Sequence, residues 1–243
     1  NFNFTVLDND GYGNINTTNV ISNFTRTGEP LRQNSSCAVI SGQNTSTTQN
    51  FTCTISMWYF DVNAVWNVTV FAQDLSGVSA QNTTTSFQYN QLQGIKISPN
   101  QISFNANIGT NNQTSTNDPT LINNTGNYNA GNVTVRAINL YGESNPSFFI
   151  DVRNITVDID TGGTPPAECN GIQLINGTEL NVTGSVLNRG NHSINNGTEG
   201  QEQFYYCITT VPSNIPSQTY STTTAGAWII KILLAAFALV GNK

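Results

Sequence analysis

The feature that most constrains this chain is the alternation of apolar and polar residues in short runs. NFTVL at 3–7, CTISMWYF at 53–60 and WNVTVFAQD at 66–74 are runs of this kind, separated by loops rich in Gly, Asn and Ser. A period of two is typical of a β-strand with one buried face. Further predicted strands lie at 37–41, 84–90, 94–98, 101–105, 119–124, 132–140, 148–160, 179–188 and 202–211. The sequence therefore predicts an all-β protein.

Composition supports this prediction and excludes other classes. The chain contains 37 Asn and 32 Thr among 243 residues, and only 9% of its residues are charged. Asn, Thr and Gly are poor helix formers, which argues against helix bundles and coiled coils. A 37% apolar content with 23 aromatic residues argues against disorder driven by charge. A net charge of -6 with eight Lys and Arg argues against nucleic-acid binding.

The length fits two domains of ordinary size. About six short strands in the first 90 residues predict a β-sandwich with Trp58 and Trp66 in its core. QLQG at 91–94 is a plausible linker, so we expect a first domain at 1–91 and a second at 92–226, followed by an apolar tail at 227–243. TGGTPP at 161–166 is interpreted as a connection between strands, because 167–226 contains too few strands for a third domain.

Four cysteines indicate the compartment. Three pairings are possible, and the local one, Cys37–Cys53 with Cys169–Cys207, needs no crossing between domains. The C-x-x-C spacing is absent from the sequence and its single histidine, His192, has no cysteine nearby, so a zinc site is not expected. Disulfides are typical of the oxidising exterior.

Glycosylation triplets are more frequent than chance predicts. With 37 Asn and 51 Ser or Thr in 243 residues, about 8 N-x-S/T triplets would arise at random, whereas the chain has 16. The N-terminal NFNFTVLDND has no basic or apolar leader, as in a secreted protein after removal of its signal. We therefore expect N-linked glycans at Asn3, Asn16, Asn23, Asn34, Asn44, Asn50, Asn67, Asn82, Asn112, Asn123, Asn132, Asn154, Asn176, Asn181, Asn191 and Asn196.

Two segments carry a resemblance to a known group. WNVTVFAQDLSG followed by TTTSFQYN resembles the closing hairpin of immunoglobulin-like repeats in archaeal cell-surface proteins. PTLINNTGNYNAGNVTVRAINL is similar to adhesion-type immunoglobulin-like domains of that group, where an N-x-G turn joins two paired strands. The likeness covers about half the chain. It implies two tandem immunoglobulin-like β-sandwiches and a cell-surface location, and it transfers no catalytic residue.

Enzyme motifs are absent from the sequence. A histidine-assisted triad would have to use His192, which stands inside the triplet that begins at Asn191 and is expected in a glycosylated loop. A pair of acids could serve a glycosidase, yet none of the 14 acidic residues stands in a recognisable motif. We expect no catalytic residues and no enzymatic activity.

A calcium loop is the one metal site that the sequence suggests. LDNDGYGNIN at 7–16 places Asp8 and Asp10 two residues apart before a glycine, which partly matches a calcium-binding loop. Tyr12 and Asn19 stand where further oxygen ligands belong. The alternative is a turn between two strands, in which Asp and Asn supply local hydrogen bonds.

The apolar tail, AWIIKILLAAFALVGNK, has three interpretations. As a membrane helix it is short, because 227–240 holds 14 residues including Lys231 and a span needs about 20. As an internal strand it would leave its second half uncovered. As an intermolecular strand it could enter a neighbouring subunit's open sandwich. The expected subunit contacts are Trp228, Ile229, Ile230, Ile232, Leu233, Leu234, Phe237, Leu239 and Val240.

Together these features predict a structural, non-enzymatic subunit of an extracellular surface assembly, either a filament or a surface layer. Its partners would be other copies of itself, linked through the tail, and its covalent additions would be glycans. The alternative is an adhesion or ligand-binding module, anchored at a membrane by the same tail or held by other surface proteins.

Overall fold

The computed structural model describes residues 1–161, 164–166, 169–190 and 200–232. Almost all regular structure in this part is antiparallel β-strand, and its helical elements are two 3-10 turns at Tyr12–Asn14 and Val152–Asn154. The prediction of an all-β protein is confirmed. Two compact units divide the chain, unit 1 ending at Leu92 and unit 2 beginning at Gln93.

Unit 1 consists of two sheets. One has three strands in the order β1-β5-β4, and the other has four strands in the order β3-β2-β6-β7. The strands are β1 (Phe2–Leu7), β2 (Ile15–Thr25), β3 (Arg32–Asn34), β4 (Ala38–Val39), β5 (Thr48–Cys53), β6 (Val65–Asp74) and β7 (Ser79–Gln88).

The core of unit 1 follows from the period of two. On β5 every second residue is buried, and Phe51 and Cys53 are completely covered. On β6, Trp66 and Val68 are buried in the same way, and the Trp66 indole Nε1 donates to the carbonyl of Val62 at 3.1 Å. Aromatic and aliphatic side chains pack together between the two sheets, and the indole of Trp66 keeps its polar group paired. The result is a two-layer, sandwich-like unit.

The prediction that Trp58 lies in the core is wrong. The strand expected at 53–60 ends at Cys53, and Trp58 lies at the surface with 47% of its area exposed. The cause is Asp61, whose buried carboxylate accepts the Trp58 backbone N–H at 2.7 Å while its own N–H donates to the Trp58 carbonyl at 3.0 Å. These bonds close a turn over 58–61 and end the extended backbone.

The apolar pattern misses one strand, β2, and predicts too short a length for another, β7. β2 is eleven residues long and rich in Asn and Thr, yet it is held between β3 and β6 in the four-stranded sheet. β7 begins at Ser79, five residues before the predicted start, and nearly all of its residues are exposed. Pairing with β6 along most of its length, rather than burial, keeps β7 extended.

Unit 2 contains one large sheet and two small ones. β17 is central in a six-stranded sheet with the order β15-β14-β17-β10-β8, and it also pairs with β9. The small sheets have the orders β16-β11-β19 and β13-β12-β18. The strands are β8 (Ile95–Ser98), β9 (Asn111–Thr114), β10 (Thr120–Asn124), β11 (Val133–Arg136), β12 (Leu140–Gly142), β13 (Phe149–Ile150), β14 (Ile155–Ile159), β15 (Ile172–Gln173), β16 (Glu179–Asn181), β17 (Gln201–Thr210), β18 (Tyr220–Ser221) and β19 (Ile229–Ile232).

A single apolar cluster joins these sheets. Its most buried members include Ile122, Val133, Val135, Phe204 and Tyr206. The strand predicted at 101–105 does not form. Its apolar residues still pack on the cluster, while the Ser103 N–H donates to the side chain of Asn117 at 2.9 Å.

In the part of the chain that the structure describes, no helix is both long and apolar enough to cross a bilayer.

Two disulfides join Cys37 to Cys53 in unit 1 and Cys169 to Cys207 in unit 2. Cys37 and Cys53 are both buried in the unit 1 core, 16 residues apart in sequence. They indicate an oxidising environment.

Replacing Cys37 and Cys53 by Ala should destabilise unit 1 by about 3 kcal/mol, because the cross-link restricts the unfolded chain over a loop of this length. The measurement is urea unfolding followed by tryptophan fluorescence. A Trp228→Phe background leaves Trp58 and Trp66, which both report on unit 1.

The matched control is Ala at Cys169 and Cys207, which removes the disulfide of unit 2. This control should leave the fluorescence transition of unit 1 in place. An unchanged midpoint in the Cys37, Cys53 variant would contradict the assigned role of the disulfide.

Candidate functional site

The open side of unit 1 is the first candidate, because its two sheets differ by one strand. β1 is the last strand of the three-stranded sheet and has a single neighbour, β5. The inward residues of β5, Phe51 and Cys53, are fully buried, whereas their partners on β1, Phe4 and Phe2, are only half-buried. Burial therefore decreases sharply across one strand spacing.

The burial of inward-facing side chains also decreases towards β7, in the opposite sheet. It is the last strand beyond β6. Trp66, Val68 and Ala72 of β6 are buried, yet the residues paired with Val68 and Ala72, which are Thr85 and Ala80 of β7, are exposed. We call this strip, bounded by Phe2–Leu7 of β1 and Ser79–Gln88 of β7, the seam.

The two edges of the seam border the same core. Phe2 packs on the cluster that contains Phe24 and Trp66, and Phe87 of β7 packs on that cluster too. Phe4 and Val6 pack on the cluster that contains Ala72. A strand added beside β1 would therefore lie over the uncovered inner face of β7.

The first half of the predicted contact segment is a strand of its own chain. β19 pairs with β11, with Ile230 opposite Val135 and Ile232 opposite Val133. Trp228, Ile230 and Ile232 pack on the unit 2 core, and the Trp228 Nε1 donates to the carbonyl of Ile138 at 2.9 Å. Ile229 is on the opposite, exposed side. Leu233, Leu234, Phe237, Leu239 and Val240 lie outside the described residues.

Lys231 has a partner on the exposed side of this strand. Its Nζ donates to Glu179 at 2.6 Å, and the Thr134 hydroxyl donates to the same carboxylate at 2.8 Å. The bond from Lys231 holds the pKa of Glu179 below its usual range. The lysine inside the apolar tail is therefore explained by the alternation of an edge strand.

The predicted glycosylation sites are exposed or half-buried where the structure describes them. Fourteen of the sixteen lie in the described residues, and none of those fourteen is buried. The asparagines that are buried are Asn124, Asn127 and Asn139, and none of them begins an N-x-S/T triplet. Eight sites are exposed: Asn3, Asn44, Asn67, Asn82, Asn112, Asn132, Asn176 and Asn181. Six are half-buried: Asn16, Asn23, Asn34, Asn50, Asn123 and Asn154, while Asn191 and Asn196 lie outside the described residues, as does His192.

Three of these asparagines share a local hydrogen-bond pattern. The side-chain Oδ1 of Asn16, Asn34 and Asn82 accepts the backbone N–H of the residue two positions later, at 3.2, 2.9 and 2.9 Å. At Asn16 and Asn82 the hydroxyl of that residue donates as well. The third residue of the triplet therefore fixes the orientation of the amide that would carry the sugar.

The candidate calcium loop is a turn in this structure. Asp8 Oδ1 accepts the Asp10 N–H at 2.8 Å, and its Oδ2 accepts the Asn14 side chain at 3.3 Å. Both oxygens of Asp8 therefore stabilise the turn itself. The described residues contain no group of three or more His, Cys, Asp or Glu arranged to hold a metal.

Unit 2 contains a small pocket, lined by both polar and apolar groups, that the sequence did not indicate. It has a volume of about 200 Å³ and is lined by Asp118, Asp158, Tyr205 and Tyr206 among others. Asp118 Oδ2 accepts the Tyr206 N–H at 2.9 Å, whereas its Oδ1 is buried without a partner among the described residues. Burial raises the pKa of Asp118 to about 6. The two residues are 88 positions apart, and NDP at 117–119 indicates only a turn.

Asp118 should make the stability of unit 2 depend on pH. Its pKa rises from 3.8 to about 6 on folding, so the folded state holds the proton more tightly. This contribution is fully present below about pH 4 and is lost as the pH rises through about 6. Asp118→Asn keeps an acceptor for Tyr206 and removes the ionisation. It should flatten the pH dependence and be more stable than the wild type at pH 7.

Urea midpoints of unit 2 between pH 4 and 7.5 measure this effect, in a background where Trp58 and Trp66 are replaced by Phe so that Trp228 reports. Asp10→Asn, an exposed carboxylate in unit 1, is the control and should retain the wild-type slope. A slope in Asp118→Asn equal to that of the wild type would refute the assignment.

Comparisons with known proteins give no relative from which a function could be transferred. No protein-family model, no curated protein and no solved structure matches this chain. The resemblance to archaeal surface proteins therefore stays an expectation, and functional inference depends on the seam, the tail and the accessible triplets.

Proposed function

We propose that this protein is a structural, non-enzymatic subunit of an extracellular surface assembly, in which the apolar tail of one copy fills the seam of the next. The observation that carries the proposal is the missing strand beside β1, which leaves Phe2 and Phe4 half-buried where their partners on β5 are fully covered. An unpaired edge next to uncovered apolar side chains is suited to accept a strand.

The apolar sequence of the tail continues beyond the described strand β19. The described pairing of β19 with β11 reaches Ile232, which is opposite Val133 and is the last residue that the structure describes. The sequence continues as LLAAFALV at 233–240, eight apolar residues in succession. A stretch of this kind favours aggregation of a free monomer unless something covers it.

Residues 233–240 of the tail are long enough to run along the whole of β1. The six residues of β1 span about 20 Å and the eight residues at 233–240 about 26 Å, at roughly 3.3 Å per residue. A strand formed by 233–240 can therefore pair with the whole of β1. Its alternate side chains would then cover Phe4, Val6 and Phe87, whose exposed area the isolated unit leaves in water.

The geometry favours an open polymer. The tail belongs to unit 2 and the seam to unit 1, so donor and acceptor are different surfaces of the same chain. A contact between unlike surfaces repeats from copy to copy and builds a filament or lattice unless the rotation between copies closes it into a ring, whereas an isologous dimer needs a surface that pairs with itself.

N-linked glycans would give this assembly its solubility. With 9% charged residues the surface holds few charges, and a glycan supplies hydroxyl groups in their place. The two disulfides agree with the extracellular location that such modification requires.

Removal of 233–243 should give soluble, folded protein that no longer assembles, because the donor strand is lost. Phe237→Asp with Leu239→Asp should have the same effect by placing charge against the seam. Size-exclusion chromatography and electron microscopy measure the assembly. Asn242→Asp, which adds charge just outside the apolar run, is the matched control and should assemble normally.

Continued polymerisation of the truncated protein would contradict the role of the tail. Monomers that stay in solution only with detergent, and that sediment with lipid vesicles through 233–243, would support the membrane-anchored adhesion module instead.

Mass spectrometry of native protein should find glycans on at least a quarter of the sixteen triplets, because eight of the described asparagines are exposed and none of them is buried. Asn82 is the expected exception in assembled material. It lies opposite Val70 on the inner face of β7, where a glycan and a donor strand would compete for the same space. Fewer modified sites, or full occupancy of Asn82 in polymers, would contradict this arrangement.

A further inference from the structure

An aromatic loop projects from unit 1 at 58–60. Trp58 and Tyr59 are each 47% exposed, and the ring of Phe60 stacks on Trp58 with centroids 5.7 Å apart and planes 6° from parallel. Tyr59 meets Phe60 edge-on at 5.0 Å. Three consecutive aromatic side chains at the surface expose apolar area that core packing does not explain.

Buried charges hold this loop in place. Asp61 is completely buried and receives two hydrogen bonds from the Arg32 guanidinium as well as the Trp58 N–H. The Tyr89 hydroxyl donates to the Trp58 carbonyl at 3.1 Å. The attraction within a buried ion pair offsets the cost of desolvation only when the geometry is good. In this loop, the hydrogen bonds of Asp61 hold the backbone at Trp58 in place.

A polar groove is lined in part by Trp58. It has a volume of about 390 Å³, and its walls include Gln33, Asn34, Thr54 and Ser56. Amide and hydroxyl groups of this kind hydrogen-bond to ligand hydroxyls, and an exposed indole face packs against the C–H face of a sugar ring. We infer that this groove is a saccharide-binding site, in which a pyranose ring stacks on Trp58 and its hydroxyls bond to the groove walls.

One source of the sugar is Asn34, which lies in the groove and begins the triplet Asn34-Ser35-Ser36. Its Nδ2 donates to the Thr54 carbonyl at 3.0 Å, and its Oδ1 accepts the Ser36 N–H. The second N–H of Nδ2 is the position that a glycan replaces, so the fixed amide would start the glycan beside Trp58. The other source is a glycan carried by a neighbouring copy, and both sources depend on the glycosylation included in the proposed function.

The first arm of the test compares native glycosylated protein with Ser36→Ala, which removes the triplet and keeps Asn34. Acrylamide quenching of Trp58 is obtained as the difference between each protein and its Trp58→Phe variant. If the glycan is carried by Asn34, Ser36→Ala should raise the quenching of Trp58 by about twofold, because the exposed half of the indole loses its cover.

The second arm uses protein produced without glycans and three probes: the oligosaccharide pool released from native protein, N,N′-diacetylchitobiose and mannotriose. Saturation-transfer NMR should detect binding of at least one probe. Trp58→Ala should weaken it by about tenfold, the equivalent of one stacking contact, whereas the equally exposed Tyr59→Ala should change it by less than about twofold.

Binding of released glycans without an effect of Ser36→Ala assigns the sugar to a neighbouring copy. Absence of both effects overturns the inference. The outcome is independent of assembly, because neither Trp58→Ala nor Ser36→Ala touches the tail, and chromatography of both variants shows whether polymerisation continues. The two commercial probes test the groove even if native protein proves to carry no glycans.

Discussion

A strand with one apolar face must bury that face against a second layer, and unit 1 satisfies this requirement on one side only. Phe51 and Trp66 lie at the centre of its two sheets and are fully covered. Towards β1 and β7 the cover decreases, since three strands face four. The proposed assembly follows from this shortage, because a strand from another copy would supply both the missing backbone partners and the missing apolar layer.

The chain uses asparagine in two separate ways. In unit 2, buried asparagines hold loops in place of charged residues: Asn124 Nδ2 donates to the carbonyls of Tyr128 and Asn188, and Asn139 Oδ1 accepts the Val152 N–H. None of the asparagines that begin an N-x-S/T triplet is buried where the structure describes them. Hydrogen bonds from buried asparagines therefore hold loops in an interior with few charges. The side chains of the asparagines that begin triplets are the ones proposed to carry glycans.

Periodicity predicted those parts of the fold in which burial decides the conformation. The alternation around Trp66 and around Phe204 correctly located β6 and β17. It did not find β2, where Asn and Thr are held extended by neighbouring strands, and it placed Trp58 in the core although Asp61 turns the chain outward.

Some features of the candidate sites could be predicted from short sequence patterns, whereas others depend on residues that are far apart in the chain. The triplets, the cysteines and the apolar tail are local patterns that the sequence displays. The seam requires knowledge of strand order, since neither Phe4 nor Thr85 alone indicates an uncovered edge. Asp118 and Tyr206 meet only in the folded unit. The three consecutive aromatic residues at 58–60 are a local pattern that argues against placing all of them in the core, because successive side chains of a strand point to opposite faces.

The most direct test of the account is electron cryo-microscopy of native assembled material at a resolution that shows side chains. The account predicts density for 233–240 of one copy running beside β1 of another, with backbone spacing of about 4.8 Å and alternate side chains covering Phe4 and Val6. Copies that meet through other surfaces, with β1 unpaired and 233–240 placed within their own chain, would contradict it.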